Sequence, residues 1–373
     1  MADKTKIEWS DATWQPITGC SVESPGCTHC YAMKLAGGRL KHHPSRVGLT
    51  IDTKNGPVWN GEVRLNDDWL NQPIRWRRRR MIFVCAHSDL FHPSIPDDWI
   101  DTVFGIMWAC LYGQDGEDGH IFQVLTKRSA RMREYLSQDR REHWARAAVH
   151  YGGGIDPDGL WDQIMDFEGP HPRIWLGVSV EDQKRADERI PDLLATPAAV
   201  RWVSFEPLLG QVDATRVGGD QFGWGRVDAF NGLRYVRANP TEAGAEWQTE
   251  PVPRLDWAVV GFESGQNARP GDVAWARLLR DQCEAAGVPF LYKQHGEWIS
   301  GKFDRRKGKM VCDPTPDHPT GRIFWTNPGE PQVHLWGEAD HYWTHASARV
   351  GKAEAGRLLD GKIHDGYPVT VVP

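Results

Sequence analysis

Three cysteines near the start of the chain have a spacing that suits a metal–thiolate site. Cys20, Cys27 and Cys30 are separated by six and then by two residues, and Pro25-Gly26 places a turn between the first two. The other four cysteines are scattered and the total of seven is odd, which argues against a disulfide framework. We therefore predict that the three sulfur atoms of this loop converge on a metal.

The spacing alone leaves three interpretations open. Three thiolates can hold three irons of a 4Fe–4S cluster and leave the fourth iron open to a small molecule. Zinc is the main competitor, because a Cys-x2-Cys turn also forms a zinc knuckle. Zinc needs a fourth ligand, for which the candidates are His29, Cys85, His87 and Cys312. The third interpretation is that the cysteines are incidental.

The rest of the chain predicts the elements that position this loop. From about residue 80, short β-branched or aromatic runs alternate with helical patterns, as in parallel βαβ units. With one strand before Cys20, seven strands are predicted, over residues 13–18, 81–85, 121–125, 173–180, 200–205, 255–261 and 290–292. One helix is predicted to start at Pro96-Asp97 and another to include Trp275 to Ala286. The predicted fold class is α/β, a partial (β/α) TIM-like barrel.

Two stretches interrupt this repeat, residues 137–172 and 211–254, and both are rich in Gly, Trp and polar residues. We interpret them as insertions. From Glu297 the pattern changes to short strands and turns, followed by a predicted helix from Ala346 to Leu359. The predicted domains are therefore a barrel over residues 1–296 and a small C-terminal cap over residues 297–373.

Composition restricts the class of protein. The chain has 373 residues, 40% of them hydrophobic and 25% charged, which allows a substantial core. No apolar run approaches the roughly 20 residues that cross a bilayer, and the opening segment lacks the apolar part of a signal peptide. We therefore expect a cytoplasmic protein that does not contact a membrane.

One short segment is strongly basic, although the formal net charge of the chain is -6. Arginine beside tryptophan suits phosphate contact and base stacking, whereas charge runs are more usually solvated faces. We predict that a nucleic acid or nucleotide contacts this segment, which surrounds Trp76 and contains Arg75, Arg77, Arg78, Arg79 and Arg80.

Polar residues follow the predicted strands, at the edge where barrel enzymes hold their substrates. Such residues also cap helices, so Asp89, Ser179 and Glu181 have a structural alternative. Glu206, Glu263 and Lys293 are predicted to converge at the barrel mouth as catalytic groups, although a buried Glu and Lys can equally form an inert ion pair. Glu206 and Glu263 would also suit the acid–base pair of a hydrolase.

The chain resembles the three-Cys-motif phage protein family in segments spread over nearly its whole length. These are 7–14, 16–20, 24–27, 30–32, 89–92, 125–128, 177–181, 204–209, 263–265, 268–270, 293–294 and 358–361. The cysteine loop of that family, on a β/α barrel, is similar to the loop of radical S-adenosylmethionine enzymes. One difference is the first gap of six residues, which is usually three in those enzymes.

The resemblance implies that Cys20, Cys27 and Cys30 bind a 4Fe–4S cluster whose open iron chelates S-adenosylmethionine. The cleaved cofactor would yield a 5'-deoxyadenosyl radical that abstracts hydrogen from a substrate. The implied cofactor contacts are His29 near adenine, Ser88 and Asp89 near the methionine amino group or ribose, Ser179 and Glu181 at the ribose hydroxyls, and Lys127 or Arg128 at a carboxylate or phosphate.

The resemblance also implies partners. Its phage context favours modification or repair of DNA or nucleotides, a partner protein encoded nearby, and an external electron donor. Two other function classes stay open, a zinc-stabilised module that binds nucleic acid or protein and a carboxylate-dependent hydrolase.

Overall fold

The computed structural model describes residues 5, 7–113, 119–219, 225–237, 247–312, 323–325, 333–340 and 343–369. These ranges contain twenty strands and nine α-helices. The strands are β1 Ala12–Trp14, β2 Ile17–Thr18, β3 Thr50–Thr53, β4 Gly56–Trp59, β5 Arg64–Leu65, β6 Met81–Val84, β7 Ile121–Thr126, β8 Ile174–Ser179, β9 Val200–Phe205, β10 Val217–Gly219, β11 Gly225–Asp228, β12 Leu233–Arg237, β13 Trp247–Pro251, β14 Trp257–Gly261, β15 Phe290–Gln294, β16 Trp298–Asp304, β17 Lys309–Cys312, β18 Ile323–Trp325, β19 Val333–Asp340 and β20 Trp343–Arg349. The helices are α1 Tyr31–Gly37, α2 Asp67–Leu70, α3 Asp97–Leu111, α4 Ser129–Leu136, α5 Arg141–Tyr151, α6 Pro157–Asp166, α7 Gln183–Ala195, α8 Val273–Ala286 and α9 Lys352–Ala355.

Seven strands form a curled, half-barrel parallel sheet in the order β1-β6-β7-β8-β9-β14-β15. All seven fall where the sequence predicts strands, and their order in the sheet follows their order along the chain. The mixed α/β class is confirmed, and the half-barrel sheet is consistent with the predicted partial β/α barrel.

The register of the first four strands of this sheet sets the level at which they end. Ala12 of β1 pairs with Ile82 of β6, which pairs with Phe122 of β7, which pairs with Ile174 of β8. The segments that follow these four strands therefore emerge along one carboxyl edge. This edge is where the predicted cofactor site belongs.

Local sequence explains the helices that were predicted. The helix α3 begins after Pro96 and has Asp97 and Asp98 in its first turn, where negative charge favours the helix dipole. At the start of α8 the Asp272 side chain accepts a hydrogen bond from the Ala274 N–H at 2.8 Å, and Gly287, with φ of +64°, ends this helix.

The chain divides into two compact units. Unit 1 comprises residues 1–179, 189–202 and 369–373, and unit 2 comprises residues 180–188 and 203–368. Unit 2 contains a four-stranded antiparallel sheet, β10-β11-β12-β13, and a five-stranded one, β18-β17-β16-β20-β19. Within the described ranges, no helix combines the length and the apolar character that spanning a membrane requires.

The regions interpreted as insertions have secondary structure of their own. Residues 137–172 contain α5 and α6, and residues 211–254 contain the strands β10 to β13. The domain limits 1–296 and 297–373 stay a prediction, and the five-stranded sheet begins at Trp298.

The helix predicted from Ala346 to Leu359 is wrong. Residues 343–349 are instead strand β20, which pairs with β16 on one side and β19 on the other, and only Lys352–Ala355 is helical. Alanine-rich sequence favours a helix, but pairing on both edges of a strand overrides that propensity.

Candidate metal and cofactor site

The cysteine loop is fixed at its start to the residues that follow β6. Gly19 forms a parallel bridge with Ser88, and the Ser88 hydroxyl donates to the Gly19 carbonyl at 2.7 Å. Gly19 has a φ of +97°, and a Cβ atom there would lie 2.1 Å from the Glu62 carbonyl oxygen. Only glycine fits this position, so Cys20 enters the site from a defined backbone.

Cys30 immediately precedes α1 and packs against the buried cluster that contains Ala32, Met33 and Trp59. Burial raises the pKa of the Cys30 thiol, while the backbone N–H groups of Met33 and Ala32 and the side chain of Trp59 lower it through hydrogen bonds. Donors of this kind stabilise a thiolate and tune the reduction potential of a cluster bound to it.

The sulfur of Cys20 lies beside a buried arginine. Burial and, next, the Asp89 carboxylate raise the pKa of the Cys20 thiol, and the guanidinium of Arg128 lowers it, for a net value of about 12. The Arg128 Nη1 atom is 3.8 Å from the Cys20 Sγ atom. Cys27 and Cys30 also raise the pKa of the Cys20 thiol.

Three thiols from one loop are a donor set that both iron–sulfur clusters and zinc use. Among the described residues, no group of three or more His, Cys, Asp or Glu side chains is placed to hold a metal ion. A single zinc would need sulfur ligands each about 2.3 Å from one point. A cluster distributes its cysteines over three separate irons.

Two of the zinc-ligand candidates have other surroundings. The His87 Nδ1 atom is 2.8 Å from the Arg46 Nη2 atom and accepts its hydrogen bond. Cys85 is buried, and burial raises the pKa of its thiol. His29 is half-buried between Cys27 and Cys30.

The structure places Asp89 at the carboxyl end of β6, where its carboxylate accepts four hydrogen bonds. The donors are the Phe91 N–H at 3.1 Å, the Thr126 hydroxyl at 2.6 Å, the Lys127 N–H at 3.0 Å and the Arg128 Nη1 at 2.8 Å. Protein donors therefore occupy both of its oxygens. Asp89 and Ser88 join the loop after β6 to the loops after β2 and β7.

Lys127 and Ser179 connect the ends of β7 and β8. The Lys127 Nζ atom donates to the Ser179 hydroxyl at 2.7 Å, and the Ser179 carbonyl accepts from Arg189 at 2.6 Å. Glu181 belongs to unit 2, is fully buried, and accepts a hydrogen bond at its carbonyl from the Leu209 N–H at 2.8 Å. Lys127 and Ser179 thus form a polar pair on the carboxyl edge of unit 1.

The predicted catalytic residues of unit 2 are all ion-paired. Glu206 lies 3.1 Å from the Lys293 Nζ atom, and Glu263 is bound by Arg269 through two nitrogens at 2.7 Å and 2.9 Å. The Glu206 side chain covers Gly261, where a Cβ atom would lie 2.4 Å from its Oε1. The expected contact between Glu206 and Lys293 is present, whereas the partner of Glu263 is an arginine that was not predicted.

The basic segment lies at the opposite end of β6 from the cysteine loop, because Arg80 directly precedes the first residue of that strand. The guanidinium of Arg80 stacks on the Trp76 ring at 4.8 Å. Arg75, Arg77 and Arg78 are exposed, and Arg79 is half-buried.

Sequence reasoning missed three side chains of this site. Ser21 contacts Arg128, His92 contacts Ser21, and Trp59 belongs to the cluster against which Cys20 and Cys30 pack. Each is a single residue in a segment without a recognisable spacing. Arg128 was considered only as a contact for a carboxylate or phosphate. Its position next to Cys20 depends on strand register.

The fold and the site define a mixed α/β protein with a parallel half-barrel sheet and a cysteine loop on its carboxyl edge. The chain belongs to the family described as protein of unknown function, DUF5131, whose model matches residues 4–368. No curated protein and no solved structure matches the chain. The resemblance to three-Cys-motif phage proteins and radical enzymes stays a prediction.

Proposed function

We propose that this protein is an iron–sulfur enzyme of the radical S-adenosylmethionine type, with the cluster held by Cys20, Cys27 and Cys30. One observation carries the proposal: three cysteines of one loop lie on the carboxyl edge of a parallel sheet, two of them, Cys20 and Cys30, against one buried cluster, and a guanidinium lies 3.8 Å from the Cys20 sulfur. A structural role for the cysteines would not require a guanidinium beside a buried thiol.

When bound, a reduced 4Fe–4S cluster supplies the electron that cleaves S-adenosylmethionine and so starts hydrogen abstraction. The chain's own residues bind and orient. Lys127 and Ser179 offer a cationic and a hydroxyl group to the cofactor's carboxylate and ribose. Ser88 and Asp89 hold the loop in place, and His29 lies within it, where an adenine ring would pack.

The proposed substrate class is a nucleic acid or nucleotide, and the basic segment supports it. That segment lies across the length of β6 from the cysteines, and four residues of strand rise about 13 Å. We assign to the arginines an anchoring role on phosphates, away from the reacting atoms.

The proposal is tested by anaerobic purification and reconstitution with iron and sulfide, followed by metal and sulfide analysis. We expect about four irons per chain and formation of 5'-deoxyadenosine when S-adenosylmethionine and dithionite are added. The variant in which Cys20, Cys27 and Cys30 are all replaced by alanine should lose both. Cys110→Ala and Cys283→Ala, at buried positions in α3 and α8, are the matched controls and should keep both.

Three results would contradict the proposal. The first is one tightly bound zinc per chain and no iron, which is the zinc-module outcome. The second is iron that persists in the triple variant. The third is a loaded cluster with no cofactor cleavage, which would leave an iron–sulfur protein of another kind.

A further inference from the structure

Arg128 is a buried arginine, 8% exposed, that contacts three residues of the cysteine loop. Its Nη1 atom is 3.8 Å from the Cys20 sulfur, and its Nη2 atom donates to the Ser21 carbonyl at 3.2 Å and to the Ser21 hydroxyl at 2.9 Å. The Glu23 carboxylate lies 3.5 Å from the same nitrogen. One side chain from the end of β7 therefore contacts three of the first four residues of the loop.

The guanidinium is itself held from the side opposite the loop. Asp89 binds its Nη1 at 2.8 Å, and the Arg128 N–H donates to the Thr126 hydroxyl at 2.9 Å. Asp89 provides the closer and more deeply buried of the two carboxylates that balance the charge of the guanidinium. The contacts with Ser21 and Cys20 are additional to that pairing, and they fix where the charge lies.

A second residue secures Ser21. The Ser21 hydroxyl is 2.8 Å from the His92 Nε2 atom, and the His92 Nδ1 atom accepts the Ser94 N–H at 3.1 Å. Because Nδ1 is an acceptor, the ring hydrogen of neutral His92 lies on Nε2 and is donated to Ser21. The residue after Cys20 is thus bonded on two sides.

We propose that Arg128 is a positioning residue for the cysteine loop. The fork of its guanidinium, the two terminal nitrogens, fixes the backbone at Ser21, and its positive charge favours the reduced state of a cluster on Cys20. This inference rests on the proposed function. A cluster gains one negative charge on reduction, so a cation beside a ligand sulfur stabilises the reduced form. The fork and the charge are separable, because lysine keeps the charge and loses the two-nitrogen geometry.

Two measurements on the full chain separate the fork from the charge. Hydrogen exchange of residues 20–28 in the metal-free protein tests the fork, and we expect at least tenfold faster exchange in both Arg128→Gln and Arg128→Lys. The midpoint potential of the reconstituted cluster tests the charge. We expect a tenfold weaker reduction equilibrium in Arg128→Gln, about 59 mV more negative for a one-electron couple, and a potential near wild type in Arg128→Lys.

Arg133→Gln is the matched control, since Arg133 lies in α4, the helix that follows Arg128, and pairs with Asp192 at 3.0 Å. Loop exchange and potential should stay at wild-type values in it. Unchanged loop exchange in both Arg128 variants overturns the fork, and equal potentials in Arg128→Gln and wild type overturn the charge effect.

The two proposals fail in different ways. A wild-type protein that binds no iron overturns the proposed function and with it the charge effect, while the exchange measurement still decides the fork. Should Arg128→Gln not fold, hydrogen exchange in Arg128→Lys compared with wild type decides the role of the fork alone.

Discussion

Asp89 organises the polar ends of two strands with one carboxylate. It is 5% exposed, and it accepts from the Thr126 hydroxyl at one oxygen and from the Lys127 N–H and the Arg128 guanidinium at the other. A buried pair of this kind contributes little net stability compared with an apolar pair, yet loss of one partner leaves an uncompensated charge. The identity of Asp89 therefore matters for folding whatever the site binds.

We predict that Asp89→Asn, which keeps the shape and removes the charge, lowers the free energy of unfolding by about 3–5 kcal/mol. Asp52→Asn is the matched control, because Asp52 pairs with Lys41 at 2.6 Å but both side chains are exposed. That pair should contribute no more than about 1 kcal/mol. Urea denaturation followed by fluorescence measures both, and similar losses in the two variants would contradict the role given to Asp89.

His87, on the same carboxyl edge, is kept neutral by its surroundings. Burial, and next the neighbouring Arg46 guanidinium, lower the pKa of His87 to about 4. In the unfolded chain its pKa is about 6.5. Between these values the unfolded chain binds the proton more readily than the folded one. The contribution of His87 to the free energy of unfolding is therefore complete above pH 6.5 and is lost as the pH falls toward 4.

We expect the wild type to lose about 1–2 kcal/mol more stability between pH 7 and pH 5 than His87→Asn, whose amide oxygen can still accept from Arg46. Denaturant titrations of both proteins at the two pH values give this difference directly. The same pH dependence in the variant and the wild type would show that His87 does not titrate in this window.

The residues of the site were predictable only in part. Cysteine spacing identified Cys20, Cys27 and Cys30, and strand-end positions identified Ser88, Asp89 and Lys127. Their partners were not predictable, because Asp89 meets Arg128 through pairing between residues 39 positions apart. Spacing along the chain gives the ligand type, whereas register decides which side chain faces which sulfur.

At the scale of elements, β8 depends on one glycine. Gly177 lies within this fully buried strand, and a Cβ atom there would come 2.5 Å from the indole ring of Trp202. Trp202 is itself fully buried and contacts Trp9, with ring centroids 5.1 Å apart. A rigid ring between such neighbours has little room to move.

We predict that Gly177→Ala destabilises the protein by about 1–3 kcal/mol through overpacking. Gly210→Ala is the control, because its Cβ atom would make an ordinary contact, 3.6 Å from the Asp182 Cβ. That change should stay within about 0.5 kcal/mol of wild type. Equal denaturation midpoints for the two variants would show that the Trp202 ring moves to accommodate the added methyl group at little cost.

Strands and helices were predicted most reliably where the apolar pattern and the flanking turn residues indicated the same element. The seven sheet strands combine buried β-branched or aromatic runs with flanking turns, and all were found. The C-terminal segment had conflicting signals, since Ala346, Ala348 and Ala355 favour a helix, while β20 is fixed by two neighbouring strands. Such long-range pairing is invisible in a local window.

For the molecule as a whole, the formal net charge of -6 means that no general field attracts a polyanion. Binding to nucleic acid must then come from a local surface. The described part of the basic segment exposes Arg77 and Arg78, with no carboxylate of the described residues in salt-bridge distance of either. Substitution of these two side chains is therefore the most direct test of the proposed anchoring role.

We predict that Arg77→Ala/Arg78→Ala weakens binding of single-stranded DNA and lowers the slope of log K against log salt by about 1.4, or about 0.7 for each phosphate that is no longer neutralised. Fluorescence anisotropy over a series of salt concentrations measures the slope. Lys302→Ala/Lys362→Ala removes the same net charge from exposed positions in unit 2 and should leave the slope unchanged. Equal slopes in the two double variants would mean that the DNA responds only to net charge, and that the basic segment is a solvated face.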